Sequence, residues 1–512
     1  MCTGCGNRCC VPFTKFIFGI DGYRKGWYDK AMKVTGYFIG YKSEGKTRKQ
    51  EEMFMKRKIV ARVMALGLST VLMTTALAGC RFGFASDPDD PNEEEEEVPI
   101  DTSVDTFSYD PSLEGTSITL LNSKAEIQVA LEEMGAIFEE KSGVHVEVMP
   151  VTDGESPYTK VVSLYNSGTP PTLSILDTTD VIALAEEKAA DLTNEKWTEE
   201  ARDYLTWVGD KVYSFPLCIE GRGIIYNQKV IEETLGEPFD PASLKTLDDF
   251  KALLDELVAA GMEKPVSLAK EDWSIGAHHL QYIYETYDGT SEGAQEAIEQ
   301  IKAGELDLHS YDRMSQFLDM FDVLKAYNVA RADPLGADYD EMAIDLADGK
   351  TAFWFNGNWA WPNLEDAGAE EEDAYGFLPY FLNNDETDFV NQKIQASPSK
   401  QVMLDGQMAS EQEQAAAKEF LNWIVYSEIG QQMLVKTCNV IPPFANNPYE
   451  PADPLSRDIY QKVQEGGTFN ASAIVPNDHW SVLGASMQKY LADRSDREEL
   501  IDSIQAYWDE QE

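Results

Sequence analysis

Three consecutive segments near the start of the apolar part of the chain set its fold class. Ile118 to Leu121 is a short apolar run. After it Ile127, Leu131, Met134 and Phe138 recur at spacings of four, three and four, the period of a helix with one buried face, and Ser142-Gly143 supplies a stop. Val144, Val146 and Val148 then alternate with His145, Glu147 and Met149, the period of a strand. Strand, helix, strand in this order predicts a parallel βαβ unit, because parallel neighbours need a crossover and the crossover helix packs on the sheet. A further helix is expected over residues 246–260, with Thr246 and Asp249 placed as a capping box and Leu247, Phe250, Leu254 and Leu257 on one face. No repeat of solenoid period is visible, so the expected body is a globular α/β structure.

Charge divides the chain in two. Residues 1–79 hold 14 of the 42 basic and 5 of the 90 acidic residues, so the overall −48 conceals a charge of −57 over residues 80–512. A surface this acidic excludes nucleic acid and anionic lipid as main partners, since both require positive patches. The basic part contains an export signal over residues 55–79. Lys56, Arg57, Lys58 and Arg62 precede an almost uncharged run from Val63 to Leu77, shorter than the 18 or more residues of a membrane span. Its ending, Leu77-Ala78-Gly79-Cys80, resembles a bacterial lipobox, which implies that Cys80 becomes the lipidated first residue of the mature chain. The other reading is an ordinary signal with an accidental cysteine.

Residues 1–54 form a basic stretch ahead of that signal. Cys2, Cys5, Cys9 and Cys10 offer a metal-site spacing, but the adjacent pair makes the geometry awkward. The simpler expectation is that translation starts at Met55: Gln50-Glu51-Glu52 can be encoded by a purine-rich, ribosome-binding sequence. Residues 80–112, with Asp87-Pro88-Asp89-Asp90-Pro91 and Glu93 to Glu97, read as an extended acidic tether. Beyond it only Cys218 and Cys438 remain, too few for a disulfide scaffold.

The common catalytic motifs of hydrolases and nucleotide enzymes are absent from the five-histidine sequence, and adjacent His278 and His279 on a helix would face different ways. The informative stretch runs from Asp348 to Trp361, DGKTAFWFNGNWAW. Its indoles beside amides suit a ligand with apolar faces and hydroxyl rims, a sugar, with Gly357 permitting a turn that presents Trp359. Core packing is the competing reading, and Trp354 and Trp361 are expected to belong to it, although Trp361 also stands in the motif below.

From Ser117 to Trp508 the chain resembles the extracellular solute-binding proteins of the maltose-binding protein family, receptors of ATP-driven carbohydrate importers. Asn356-Gly357-Asn358-Trp359-Ala360-Trp361 is similar to that family's N-G-x-W-A-W segment, which implies that Trp359 stacks on a sugar ring, with Asn358 and Trp361 beside it. Ile219-Glu220-Gly221-Arg222-Gly223 resembles the stretch that crosses between lobes and supplies a ligand-binding Glu, here Glu220. Glu271-Asp272-Trp273 falls where the family has a Glu and a stacking aromatic, and His479-Trp480 where it has its last ring-stacking Trp. Residues 415–430 resemble the helix after the return to the first lobe, and Ile441-Pro442-Pro443 the I-P pattern that follows it. In the first lobe Ser123, Lys124 and Glu126 match loosely, and Asp177 to Asp180 lack an aromatic, so maltose itself is not implied. Arg222 has no counterpart; it would bind an acidic sugar or pair with a carboxylate.

The resemblance implies a type II two-lobe binding fold over residues 113–512, with lobe 1 at about 113–219 and 395–440 and lobe 2 at about 223–380 and 441–512. It implies a monomeric receptor that closes on a sugar, an oligosaccharide rather than a monosaccharide given the number of Trp residues, and delivers it to permease subunits. No cofactor and no metal are implied. The membrane would be reached through the Cys80 lipid alone, on the outer face of the cytoplasmic membrane of a Gram-positive bacterium. Two other readings remain: a surface-anchored glycosidase, because carboxylate pairs beside Trp also describe such sites, and a receptor for a non-carbohydrate polar solute.

Overall fold

The computed structural model describes residues 100–511 except 101, 104, 153 and 154. The leader, the signal, Cys80 and most of the tether lie outside the described residues. Among the described residues no helix is long and apolar enough to cross a membrane.

The predicted βαβ unit is present. β1 (Ser117–Asn122) and β2 (His145–Pro150) pair in parallel, Ser117 opposite His145, across the helix Gln128–Ser142, which Gly143 ends in the left-handed region at φ 74°. β3 (Leu173–Asp177) adds a parallel neighbour to β1. A small hairpin of β4 (Trp207–Val208) and β5 (Lys211–Val212) leads into β6 (Ser214–Asn227), which is buried along its whole length. β7 (Val266–Ser267), β8 (Phe353–Gly357), β9 (Tyr375–Leu378), β10 (Ile394–Leu404) and β11 (Thr468–Phe469) complete the set. One sheet runs in the order β2-β1-β3-β10-β6-β8-β7, with β9 on β6 and β11 on β10.

β6 and β10 hold this sheet together. They pair antiparallel from Ser214 opposite Met403 to Arg222 opposite Gln395, with register irregularities between Ser397 and Gln401. One half of this ribbon carries β3 on its β10 edge and the other half carries β8 on its β6 edge. Two large apolar cores correspond to the two halves. The first gathers Phe138, Trp197, Phe215, Phe420 and Trp423, and the second Phe250, Phe321, Phe353, Tyr380 and Trp508. Burial of each such side chain contributes about 1.5–3 kcal/mol. A third, smaller cluster around Trp354, Trp361 and Ile459 lies against the ribbon's middle. There Gly221 leaves room for Ile459, whose atoms would stand 2.7–2.9 Å from an added Cβ.

Several local expectations need correction. Thr246 caps the helix Leu247–Ala260 by accepting from Asp249 N at 3.1 Å, but the Asp249 carboxylate accepts from Lys245 N, not from Thr246, so the box is half formed. The single helix expected over 415–430 is two, Glu411–Tyr426 and Glu428–Gln432, because Ser427 leaves the helical conformation and caps the second. The tether ends before residue 112: Phe107 and Tyr109 stack edge-on at 5.0 Å, Tyr109 meets Phe138 at 6.1 Å, and Ser427 donates to Asp105 at 3.2 Å. On the return path Phe444 still packs in the first core, and Ala445 N donates to Glu200 O, so the chain leaves that core after 441. Cys218 and Cys438 are both buried and free.

Candidate ligand-binding cleft

A cleft of about 740 Å³ opens along the β6–β10 ribbon between the two cores. That lies within the 300–1,000 Å³ usual for small-molecule sites. Its position follows from the sheet, since one face of the ribbon's middle, with Glu220, Arg222, Gln395, Ser397 and Ser399, lines the cleft while the alternate residues Ile219, Ile394 and Ala396 pack in the third cluster.

The floor is a row of alternating charges. Lys124, just after β1, is buried and bonds Glu126 at 2.6 Å and Glu220 at 2.5 Å. Glu220, in mid-β6, also accepts from Ser399 Oγ. Lys400 of β10 bonds Asp177, at the end of β3, at 2.6 Å. Burial alone would neutralise these groups, but each has opposite charge beside it. Against burial, Glu126 and Glu220 hold Lys124 well above its ordinary value, and Lys124 and Lys400 hold Glu220 below its own. Asp180 ends the row on the opposite principle. Burial, with the Asp177 carboxylate next and Lys400 only partly opposing, raises it to about 7. It is 7% exposed and accepts from Asn477 Nδ2 at 3.1 Å, a hydrogen bond from one side of the cleft to the other.

The facing wall is aromatic. Trp359 packs against His278 at a ring separation of 4.9 Å, His278 against Trp273 at 5.4 Å, and Trp273 against Tyr339 at 5.5 Å; Trp480 also lines the cleft. Gly357 serves this wall differently from the sequence expectation. Its φ is −118°, open to any residue, but a Cβ there would lie 2.1–2.4 Å from the Trp359 ring, so glycine is required for space. His279, the neighbour of His278, points into the second core against Phe355 and bonds Tyr380 at 3.0 Å. Burial, reinforced by Arg222, holds His278 well below its ordinary value and hence neutral. Arg222 pairs with Glu285, donates through Nε to His278 O at 3.2 Å and lies over the Tyr282 ring. Burial raises the Glu285 carboxyl, with the guanidinium pulling the other way.

The cleft therefore brings together Trp359, Glu220, Trp273, Trp480, Asp177, Asp180, Lys124 and Arg222. Three expected residues lie elsewhere. Glu271 accepts from Tyr339 N at 3.1 Å, and its second oxygen is buried without a partner; the next residue, Asp272, lines the cleft. Asn358 accepts from Gly221 N at 2.9 Å and donates to Ser456 at 3.1 Å, pinning β6 to the helix Pro454–Glu465. Trp361 packs edge-on against Tyr375 in the third cluster. Sequence reasoning missed Glu285, Lys400, His278 and Asn477. Of these only His278 left a signal, as one of two adjacent histidines bound to face different ways. Among the described residues no cluster of His, Cys, Asp and Glu is arranged to hold a metal ion.

A mixed sheet carried by two crossing strands, with a charged and aromatic cleft between two cores, defines a two-lobed binding protein of the type II class. The sequence profile of the family described as bacterial extracellular solute-binding protein matches residues 133–457, and the chain belongs to that family. Its members bind solutes and are not enzymes, and they act outside the cytoplasm. An uncharacterized ABC transporter extracellular-binding protein of Pyrococcus horikoshii is 24% identical over 360 residues, 66% of this chain and 74% of that protein. The multiple sugar-binding protein of Streptococcus mutans is 26% identical over 259 residues, 49% of this chain and 59% of that protein. Among solved structures, a chitin oligosaccharide binding protein superposes with a TM-score of 0.61 at 22% identity, covering 77% of this chain and 98% of its own. The raffinose complex of RafE gives 0.61 at 17%, covering 77% and 99%. A mannobiose-bound protein from Bifidobacterium animalis subsp. lactis gives 0.57 at 17%, covering 77% and 94%. At these identities the structural likeness speaks for the fold.

Proposed function

We propose that this protein is the receptor of an ABC-type importer for a carbohydrate, an oligosaccharide in particular, tethered to the membrane by a lipid on Cys80. The observation that carries the sugar reading is the Trp359–His278–Trp273 wall facing a row of carboxylates and hydroxyls across the cleft. Indole faces take up the C–H faces of a pyranose while Asp272, Gln395 and Ser397 reach its hydroxyl rim. The names of the multiple sugar-binding relative and of the sugar-bound structural neighbours support the same class of ligand. Hydrogen bonds to charged groups are worth roughly 1.5–3 kcal/mol each, so two or three of them with two stacked indoles approach the about −8 kcal/mol of a micromolar receptor before ordering costs.

In this reading residues 1–54 are an upstream extension, 55–79 a lipoprotein signal, and the residues after Cys80 a tether holding a monomeric, two-lobed body outside a Gram-positive cell. Ligand bridges the faces that Asp180 and Asn477 already touch, and closure shifts by the ligand's preference for the closed state over the open one. The test is calorimetry on Trp359→Ala against a panel of neutral oligosaccharides. Affinity for the best wild-type ligand falls at least tenfold with the melting temperature kept; an unchanged affinity removes Trp359 from the site. Recovery of the incubated ligand uncleaved separates this reading from a glycosidase.

A further inference from the structure

Among the described residues, every cation that lines the cleft is already paired with a carboxylate of the protein. Lys124 has two, Glu126 and Glu220, and Lys400 has Asp177. Arg222, the strongest candidate for holding an acidic ligand, is turned onto Glu285, with its Nε spent on the His278 carbonyl and its plane over Tyr282. His278 adds no charge, and carboxylates outnumber cations seven to three along the lining.

Glu285 is the unusual member. Its side chain is 2% exposed, too deep to serve as an open hydroxyl acceptor, and its ion-pair partner among the described residues is Arg222, which is also buried. A buried carboxylate in that place costs desolvation that an apolar residue would not. Besides accepting from the Ala473 backbone, it holds Arg222 Nη2, one end of the guanidinium fork that would otherwise grip a carboxylate or phosphate on the ligand.

We propose that the cleft is selective for uncharged glycans and that Glu285 sets this selectivity by occupying Arg222. Glu285 is a positioning residue that acts through Arg222. The inference rests on the sugar-receptor reading and narrows it to glycans without uronate, sulfate or phosphate groups.

The experiment uses a matched pair of ligands: the best neutral oligosaccharide found in the calorimetric panel and the same oligosaccharide with its primary hydroxyls oxidised to carboxylates. Wild-type protein at pH 7.5 and low salt binds the oxidised form at least tenfold more weakly than the neutral one. Glu285→Gln, which keeps the shape and frees the guanidinium, gains at least tenfold for the oxidised form, and the gain shrinks as salt is added. A merely structural role for Glu285 would lower both affinities together. Glu285→Asp, which keeps the carboxylate but shortens its reach to Arg222, gives a smaller gain in the same direction and decides the matter if Glu285→Gln does not fold. Equal wild-type affinity for the two forms, or folded variants that gain nothing, overturns the proposal while leaving the sugar reading standing. Binding of no glycan at all overturns both.

Discussion

Replacing Asp180 by Asn isolates the energetic cost of the cleft's charge row. In the folded protein the Asp180 carboxyl titrates near 7 against an ordinary 3.8, because it is buried and faces the Asp177 carboxylate. The folded state therefore binds its proton more tightly than the unfolded chain does. Whatever stability this confers is fully present below about pH 4 and is lost as pH rises through 7. At 1.36 kcal/mol per pH unit, the interval between the two values corresponds to about 4 kcal/mol, a ceiling reached only if the site does not relax. Asn cannot ionise, yet its carbonyl oxygen can still accept the hydrogen bond from Asn477. The expected result is that Asp180→Asn and wild type melt together at pH 4, and that the variant is the more stable at pH 8. For roughly 400 residues at about 2.1 cal/mol/K each, 4 kcal/mol moves the midpoint by about 5 °C. Thermal unfolding without ligand, followed by tryptophan fluorescence from pH 4 to pH 8.5, reads this directly. A stability difference that does not grow with pH would refute the placement of an ionisable, desolvated carboxyl at the lobe contact.

Asn358→Ala should separate support from recognition. It leaves the buried Gly221 N–H without its partner, a loss of about 1–3 kcal/mol in denaturant unfolding, while glycan affinity measured on the folded fraction stays within about twofold of wild type. Cys80→Ala, expressed in a Gram-positive host, should move the protein from the membrane fraction to the culture medium, as immunoblotting of the two fractions will report; retention in the membrane would require another anchor.

What could be read from the sequence was what repeats locally. The alternation of Val144, Val146 and Val148 and the helical spacing from Ile127 to Phe138 placed β1, its helix and β2 in the order observed, as a parallel unit, since each signal lies within one element. Trp359, which lines the cleft, stood out because a run of aromatics and amides in a single stretch narrows its own explanation. Its neighbours point elsewhere: Asn358, on the same short 3-10 turn, goes back to β6, and Trp361, the first residue of the helix that follows, packs on Tyr375 as the core reading expects. A one-residue phase error separates Glu271 from Asp272. The pairings that set the cleft's electrostatics had no local trace. Arg222 meets Glu285 from 63 residues away and Lys400 meets Asp177 from 223, and many other acids would have satisfied either cation equally well on paper.

The continuous β6–β10 ribbon limits what a partner of this receptor can sense. Two hydrogen-bonded strands shared by both halves resist sliding and separation but can bend and twist where the register slips between Ser397 and Gln401. In the proposed receptor, relative movement of the halves is then expected to be mainly a bend of this ribbon. A transporter that rests on both of them would read that bend as a single coordinate and need no contact with the cargo, so in this reading chemical discrimination falls to the cleft and mechanical signalling to the ribbon.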